Sequence, residues 1–251
     1  LPDYGVKAEM TSGIRSGILQ FTYPESDSSF ILLDMNHTLW QSCPWSNLRV
    51  ENDSTLVGYK LVKGWGPERH VYFTAVFSKP FRDFGIMQDT IPVKYNTNRF
   101  RSSLEAWGKD LRFWMRFPTR QGEMVTVKTA VSAVSSDGAK LNMQELEGKT
   151  FASLKAEGEK LWEGQLSKFK IEATPEQRET FYTSVYHAFL HPFIFQDADG
   201  KFRELDKNIG QAEGFTNYTV FSLWDTYRAL HPLFNLVQRD INADIVNSML
   251  A

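Results

Sequence analysis

Cysteine is nearly absent from the 251 residues; Cys43 stands alone. One thiol excludes an internal disulfide and any cysteine-built metal site. No apolar run approaches the ~20 residues that a membrane-spanning helix needs. An excess of one charge is also lacking. Lys and Arg number 28 against 30 Asp and Glu, giving a net charge of −2 and a pI of about 6.3. Nothing in that balance points to nucleic acid or an anionic membrane as a partner. The opening LPDYGVKAEM does not join a charged start to an apolar core, so it does not read as a signal peptide. There is no H-E-x-x-H, no G-x-S-x-G, no glycine-rich phosphate loop and no dinucleotide fingerprint.

What is present is an ordinary soluble composition, with 42% hydrophobic and 23% charged residues. The length suits one large domain or two moderate ones. Aromatics make up 14%, including seven tryptophans. That favours a well-filled core and sugar binding about equally. Three N-x-[ST] sequons occur, at Asn36, Asn52 and Asn217, and they matter only in a glycosylating secretory pathway.

Up to about residue 150 the hydrophobic period is two. In HVYFTAVFSKPF (70–81), Val71, Phe73, Ala75 and Phe77 share one face and Tyr72, Thr74 and Val76 the other, so both faces are expected to be partly covered. In EMVTVKTAVSAVS (123–135), Val125, Val127, Thr129, Val131 and Ala133 share one face, with Lys128 and Ser132 opposite. That is the pattern of a half-buried antiparallel strand. SGILQFTYP, SFILLDMNH and TLVGYKLVKGW read as further strands. Gly64–Trp65–Gly66–Pro67 and Asp137–Gly138 read as turns. Many short strands separated by turns argue for a sandwich.

Near residue 150 the period becomes helical. KTFASLKAEGEKLWEGQLSKFKI (149–171) sets Phe151, Leu154, Leu161, Trp162, Leu166 and Phe169 at helical spacings. Thr174–Gln177 (TPEQ) is a capping box with proline at the first helical position, opening a helix that stops near Pro192. A hairpin turning at Asp199–Gly200 is expected next, then a helix around Trp224 and a last one from about Asn235. YHAFLHPF (186–193) and TYRALHPL (226–233) echo one another at an offset of 40, both read as helix ends closed by His-Pro. The first strand begins almost at residue 1 and DIVNSMLA carries no helix stop, so the chain reads as a piece of something longer.

One short segment invites a functional reading. In FSLWDTYRALHPL (221–233), taken as a helix, Val220, Leu223, Trp224, Tyr227 and Leu230 form an apolar stripe and Asp225 lies roughly opposite. One reading makes the stripe core and Asp225 a solvated acid or an i, i+3 partner of Arg228. The other has Asp225 accept hydrogen bonds from vicinal hydroxyls while the indole offers an apolar platform, a combination that suits a sugar ring. Asp197, Asp199, Glu204 and Asp206 lack the spacing of an EF-hand loop, and the Asp-Gly hairpin explains them better. His187, His191 and His231 lie near expected helix C-termini, facing the dipole, rather than at metal-ligand spacings.

The same segment resembles the glycoside hydrolase family 92 α-mannosidases. GYKLVKGW (58–65), HVYFTAVFSKPF (70–81) and VKTAVSAVSSDGAKLNMQEL (127–146) look like that family's sandwich strands. EQRETFYTSVYHAFLHPFIFQDADGKFRELD (176–206) and NYTVFSLWDTYRALHPL (217–233) look like the opening of its helical domain. The resemblance implies an antiparallel β-sandwich over 1–148, a linker helix over 149–171 and the first part of an (α/α)6 toroid over 172–251. It implies a calcium-dependent, inverting exo-mannosidase acting on terminal α-linked mannose of mannans or N-glycans. Trp224 and Asp225 match the family's Trp-Asp pair, with the implied role of holding the terminal mannose. The segments that carry the family's general acid, general base and calcium ligands are not matched in this chain, so no catalytic or metal-binding residue is assigned in it. The implied location is the periplasm, the cell surface or the medium. Two rivals stand beside this reading: a non-catalytic carbohydrate-binding relic, and another sandwich-plus-toroid enzyme such as a disaccharide phosphorylase.

Overall fold

The computed structural model describes residues 1–64, 66, 68–89, 91, 92, 105–219 and 222–251, with backbone alone at 91 and 92. Two compact units divide the chain, Leu1–Leu154 and Lys155–Ala251.

The first unit is built from β1 (Lys7–Ser12), β2 (Ser16–Tyr23), β3 (Ser26–Asp34), β4 (Ser42–Val50), β5 (Thr55–Lys63), β6 (Arg69–Phe77), β7 (Asp83–Gln88), β8 (Ile91–Pro92), β9 (Glu105–Gly108), β10 (Leu111–Thr119) and β11 (Glu123–Ser132). All ladders are antiparallel. One sheet runs β1-β2-β11-β6-β5-β4-β9 and the other β3-β10-β7-β8. Leu48, Leu56 and Val125 of the first sheet and Leu111, Phe113 and Met115 of the second are fully buried in one shared core. The rings of Phe77, Phe81, Phe84 and Phe113 gather there with centroid separations of 5.1 to 6.2 Å. This is the sandwich that the alternating strands predict.

β10 shows the cleanest alternation in the chain: Leu111, Phe113, Met115 and Phe117 point inward. The strand reading of the sequence omits it; Pro118 stands next to its last residue. Proline demotes a strand assignment, yet here it coincides with the register shift between Phe117 and Thr119 where β10 pairs with β3. Gly58 marks a close approach of a different kind. A Cβ there would run into the Phe73 ring and the Asn47 carbonyl, so only glycine fits.

Alternation misplaces the far half of β11. Val125 and Val127 are buried as expected, but Val131 is 47% exposed while Ala130 and Ser132 are buried. The cause lies in the next segment of chain. Asp137–Gly138, expected as a turn, opens α1 (Ser136–Met143), with the Ser135 hydroxyl accepting from the Gly138 N–H at 2.9 Å. That helix and the 3₁₀ turn Gln144–Leu146 cover the opposite face of the sheet. The fully buried Asn142 donates to the Val131 carbonyl at 2.8 Å. Glu145 accepts from the Arg15 N–H at 3.0 Å, from its guanidinium at 2.7 Å and from the Ser16 hydroxyl at 3.0 Å. Lys128 reaches the Leu146 carbonyl instead of open solvent. Ile18, Leu146 and Leu154 form a second small core under this cover. Of the expected Gly64–Pro67 turn, the Gly64 N–H meets the Gly66 carbonyl at 3.1 Å; Trp65 and Pro67 lie outside the described residues.

The second unit takes up α2 (Phe151–Leu166), α3 (Pro175–Phe189), the strand pair β12 (Lys201–Arg203) and β13 (Ile209–Gln211), then α4 (Leu223–Thr226), α5 (Leu230–Val237) and α6 (Arg239–Leu250). The division between units falls inside α2. Both halves of the Thr174–Gln177 capping box form, at 3.1 and 3.3 Å. Asp199–Gly200 does turn, with the Gly200 N–H on the Asp197 carbonyl at 2.9 Å and φ +83° at Gly200. It precedes the strand pair, however, and the link between β12 and β13 is a second turn over 204–208. His231–Pro232 does not close a helix as His191–Pro192 does after α3; it lies in the first turn of α5. A helix's first turn has no use for the N–H that proline lacks, so the same dipeptide serves at either end. The two echoed segments therefore occupy different structural positions, and His231 stands at a helix N-terminus, not a C-terminus. The last helices begin at Leu230 and Arg239 rather than at Asn235. Phe189 packs on Phe234 at 5.9 Å, and Phe234 and Ile245 are buried. Asn217, the third sequon asparagine, is 3% exposed and donates its amide to the Phe195 carbonyl at 2.8 Å.

These contacts predict two outcomes. Thr174→Ala removes the cap oxygen of α3 and is expected to cost about 1 kcal/mol in a urea titration. Glu51 receives Lys140 of α1 at 2.7 Å and Arg49 at 2.6 Å. Burial pushes its carboxyl up, but those two cations outweigh it and hold the pKa below the ordinary glutamate value. The unfolded chain then takes up the proton first as pH falls. The stabilisation is full above the ordinary glutamate pKa and is lost as pH drops through the lower folded value. The urea midpoint of Glu51→Gln should lie below that of wild type at about pH 6, and the gap should narrow as the pH falls below the ordinary glutamate range.

Candidate functional site

α4 is a single turn between two anchored segments. Upstream, the chain is tied to the stretch after α3. The Thr219 N–H meets the Phe193 carbonyl at 3.0 Å, the Phe195 N–H meets the Asn217 carbonyl at 2.8 Å, and Ile194 bridges to Tyr218. The Tyr218 N–H also donates to the Ser248 hydroxyl at 2.9 Å. Downstream, three residues separate α4 from α5. The turn itself is closed by the Tyr227 N–H on the Leu223 carbonyl at 3.0 Å, and the Thr226 hydroxyl caps back onto the Ser222 carbonyl at 3.3 Å. Asp225 sits in the first turn, where the peptide dipoles favour a carboxylate.

The long helix expected around Trp224 is therefore not one helix, and the wheel drawn for it does not describe a buried stripe. Leu223 and Tyr227 are half exposed and Trp224 is 80% exposed; Val220 lies outside the described residues. Nor is Asp225 spent on Arg228. That guanidinium turns to its neighbour instead, donating to the Tyr227 hydroxyl at 2.6 Å and lying 5.4 Å from the ring centroid. Among the described residues, no side-chain hydrogen bond or ion pair engages Asp225. An indole and a carboxylate are thus presented side by side, the first offering an apolar face and the second four lone-pair sites.

The acids of 197–206 serve local structure. Asp199 binds Lys201 at 2.8 Å, which holds its carboxyl below the usual range, and Asp206 receives the Asn208 N–H at 2.9 Å. Among the described residues, no group of three or more His, Cys, Asp or Glu is placed to hold a metal ion. No described helix is long and apolar enough to cross a membrane.

Comparison with known proteins agrees with this architecture. The description "Glycosyl hydrolase family 92 N-terminal domain" matches residues 1–132, and "Glycosyl hydrolase family 92 catalytic domain" matches residues 138–251. A family 92 α-mannosidase of known structure from Bacteroides thetaiotaomicron is 70% identical, with a TM-score of 0.96 over 100% of this chain and 34% of its own. Its complex with mannoimidazole superposes at a TM-score of 0.95, over 33% of that chain. A family 92 inverting mannosidase of the same species shares the fold at 22% identity and a TM-score of 0.82, over 97% of this chain and 32% of its own. No curated protein matches. The chain spans about a third of the length of the solved structures it resembles. With the sandwich matched by one domain description and the helical unit by the other, the chain belongs to glycoside hydrolase family 92.

Proposed function

We propose that this chain is the sandwich and first helices of an exo-acting α-mannosidase, and that Trp224 and Asp225 hold the terminal mannose. The observation that carries the reading is the unspent pair on α4. Burying an indole would ordinarily be favourable, yet Trp224 is 80% exposed beside a carboxylate that makes no side-chain bond among the described residues. The 70% identical relative, solved with mannoimidazole, supports mannose as the sugar. On this reading the indole packs against the C–H face of the ring and Asp225 accepts from adjacent hydroxyls. Inversion belongs to the proposal through the family resemblance. It needs a general acid and a general base roughly 6.5–9.5 Å apart, with a water between them and the anomeric carbon. Neither role is given to a residue of this chain. Calcium dependence and export to the periplasm, surface or medium belong to the same proposal.

Titration calorimetry with mannoimidazole tests the site. Asp225→Ala removes a charged hydrogen-bond acceptor and should weaken binding about tenfold or more. Because the side chain is exposed, the melting temperature should move by less than about 2 °C. Unchanged affinity would remove Asp225 from the site.

A further inference from the structure

The outer face of the larger sheet is covered in one half only. α1 lies over the part where Val57 of β5 and Thr74 of β6 are buried. Beside it, the ladder registers set Trp107 of β9, Asn47 of β4, Tyr59 of β5 and Tyr72 of β6 in one cross-strand row. Leu48, Leu56, Ala75 and Ala106 point from the same four strands into the core, so the row points away from it. Neighbouring strands lie about 4.8 Å apart, which gives the row a length of about 14 Å. Trp107 is 55% exposed, and Trp45, two residues before Asn47 on the same face of β4, is 45% exposed. The rings of Tyr59 and Tyr72 lie 4.8 Å apart. Asn47 itself is only 8% exposed, and it spends its amide hydrogens on the Glu105 carboxylate at 3.2 Å and the Ala106 carbonyl at 3.1 Å. Its carbonyl oxygen accepts nothing among the described residues. The same Glu105 oxygen takes the Trp107 indole N–H at 3.1 Å. The other Glu105 oxygen and the Tyr72 hydroxyl likewise make no hydrogen bond among the described residues.

The chemistry of this face selects a ligand class. An amide oxygen left open between two exposed indoles calls for a donor, and the open carboxylate oxygen beside it calls for another. A ligand rich in O–H groups brings such donors, and its C–H faces suit the rings. Charge selects neither an anion nor a cation. Arg49 stands directly opposite Glu105 in the ladder, and Glu51 binds Arg49 at 2.6 Å and Lys140 at 2.7 Å, so two cations balance two carboxylates. We infer that the open half of this sheet face is a saccharide-binding surface. It takes a neutral oligosaccharide along the row, with sugar rings against Trp107 and Trp45 and hydroxyls on Asn47, Glu105 and Tyr72. The length of the row suits a short oligosaccharide better than a single ring. This surface stands apart from the α4 pair and shares only the choice of probe with the mannoside reading.

The test is titration calorimetry with α-mannotriose and with maltotriose, on the 251-residue chain carrying Asp225→Ala so that α4 is silenced. Trisaccharide binding should persist in that background. Adding Trp107→Ala should weaken it about tenfold. Because that indole is more than half exposed, the melting temperature should move by less than about 2 °C. Tyr72→Phe keeps the ring, drops the hydroxyl and should weaken the same binding about fivefold. The inference is overturned if the Asp225→Ala chain binds neither trisaccharide, or if Trp107→Ala and Tyr72→Phe both leave the affinity unchanged. Displacement of the sugar by choline overturns it too, since the rings would then serve a cation. Wild-type binding that Asp225→Ala abolishes sinks this surface and leaves the α4 reading standing. Binding that Asp225→Ala spares and Trp107→Ala removes supports the surface whatever becomes of α4.

Discussion

The inward row of β10 is the constraint on which the first unit depends. Leu111, Phe113 and Met115 are wholly buried against the opposing sheet, and β10 lies between β3 and β7 in its own. Loss of that row would expose Phe77 of one sheet, Ile86 of the other and Phe81 of the link between β6 and β7 together, because all pack into one cluster. Dispersion among closely packed rings is small per atom pair and large in sum. It fixes the separation of the sheets, and with it where the strand ends emerge. A cleft of about 630 Å³ opens at those ends: Asp34 closes β3, and Lys109 and Asp110 link β9 to β10.

Polar ties then decide which face of the larger sheet is covered. Glu145 gathers Arg15 and Ser16, Glu51 gathers Arg49 and Lys140, and Asn142 bonds the β11 backbone. Each is partly or wholly shielded from water, where hydrogen bonds to charged groups are stronger than at the surface. The result is a sheet with apolar burial on both sides near its β2–β11–β6 centre. A simple inside–outside alternation cannot hold there.

That explains what the sequence showed and what it hid. Strands β2, β3, β5, β6 and β11 carry their period openly, and the Thr174–Gln177 cap is written in four consecutive residues. Both are local signals. The flip in burial along β11 depends on a helix whose start, SSDG, is equally good turn chemistry. The break after α4 depends on tertiary anchoring of its flanks, with no proline or glycine between Thr226 and Leu230 to announce it. The Trp224–Asp225 pair was visible as two adjacent residue types, but their joint exposure was not. The cross-strand row was hidden further still, since Trp107, Asn47, Tyr59 and Tyr72 come from four strands that share no motif.

The buried sequon has a practical side. Oligosaccharyltransferase needs an asparagine amide it can reach, and Asn217 keeps its own inside the fold, bonded to Phe195. A glycan added there before folding would forbid that bond, whereas Asn52 offers an open surface. Asn36 is different again, because it lines the cleft, and an attached glycan would plug it. Preparations from a eukaryotic secretory host would thus be chemically mixed in a way that touches both units at once. A bacterial host yields the uniform material.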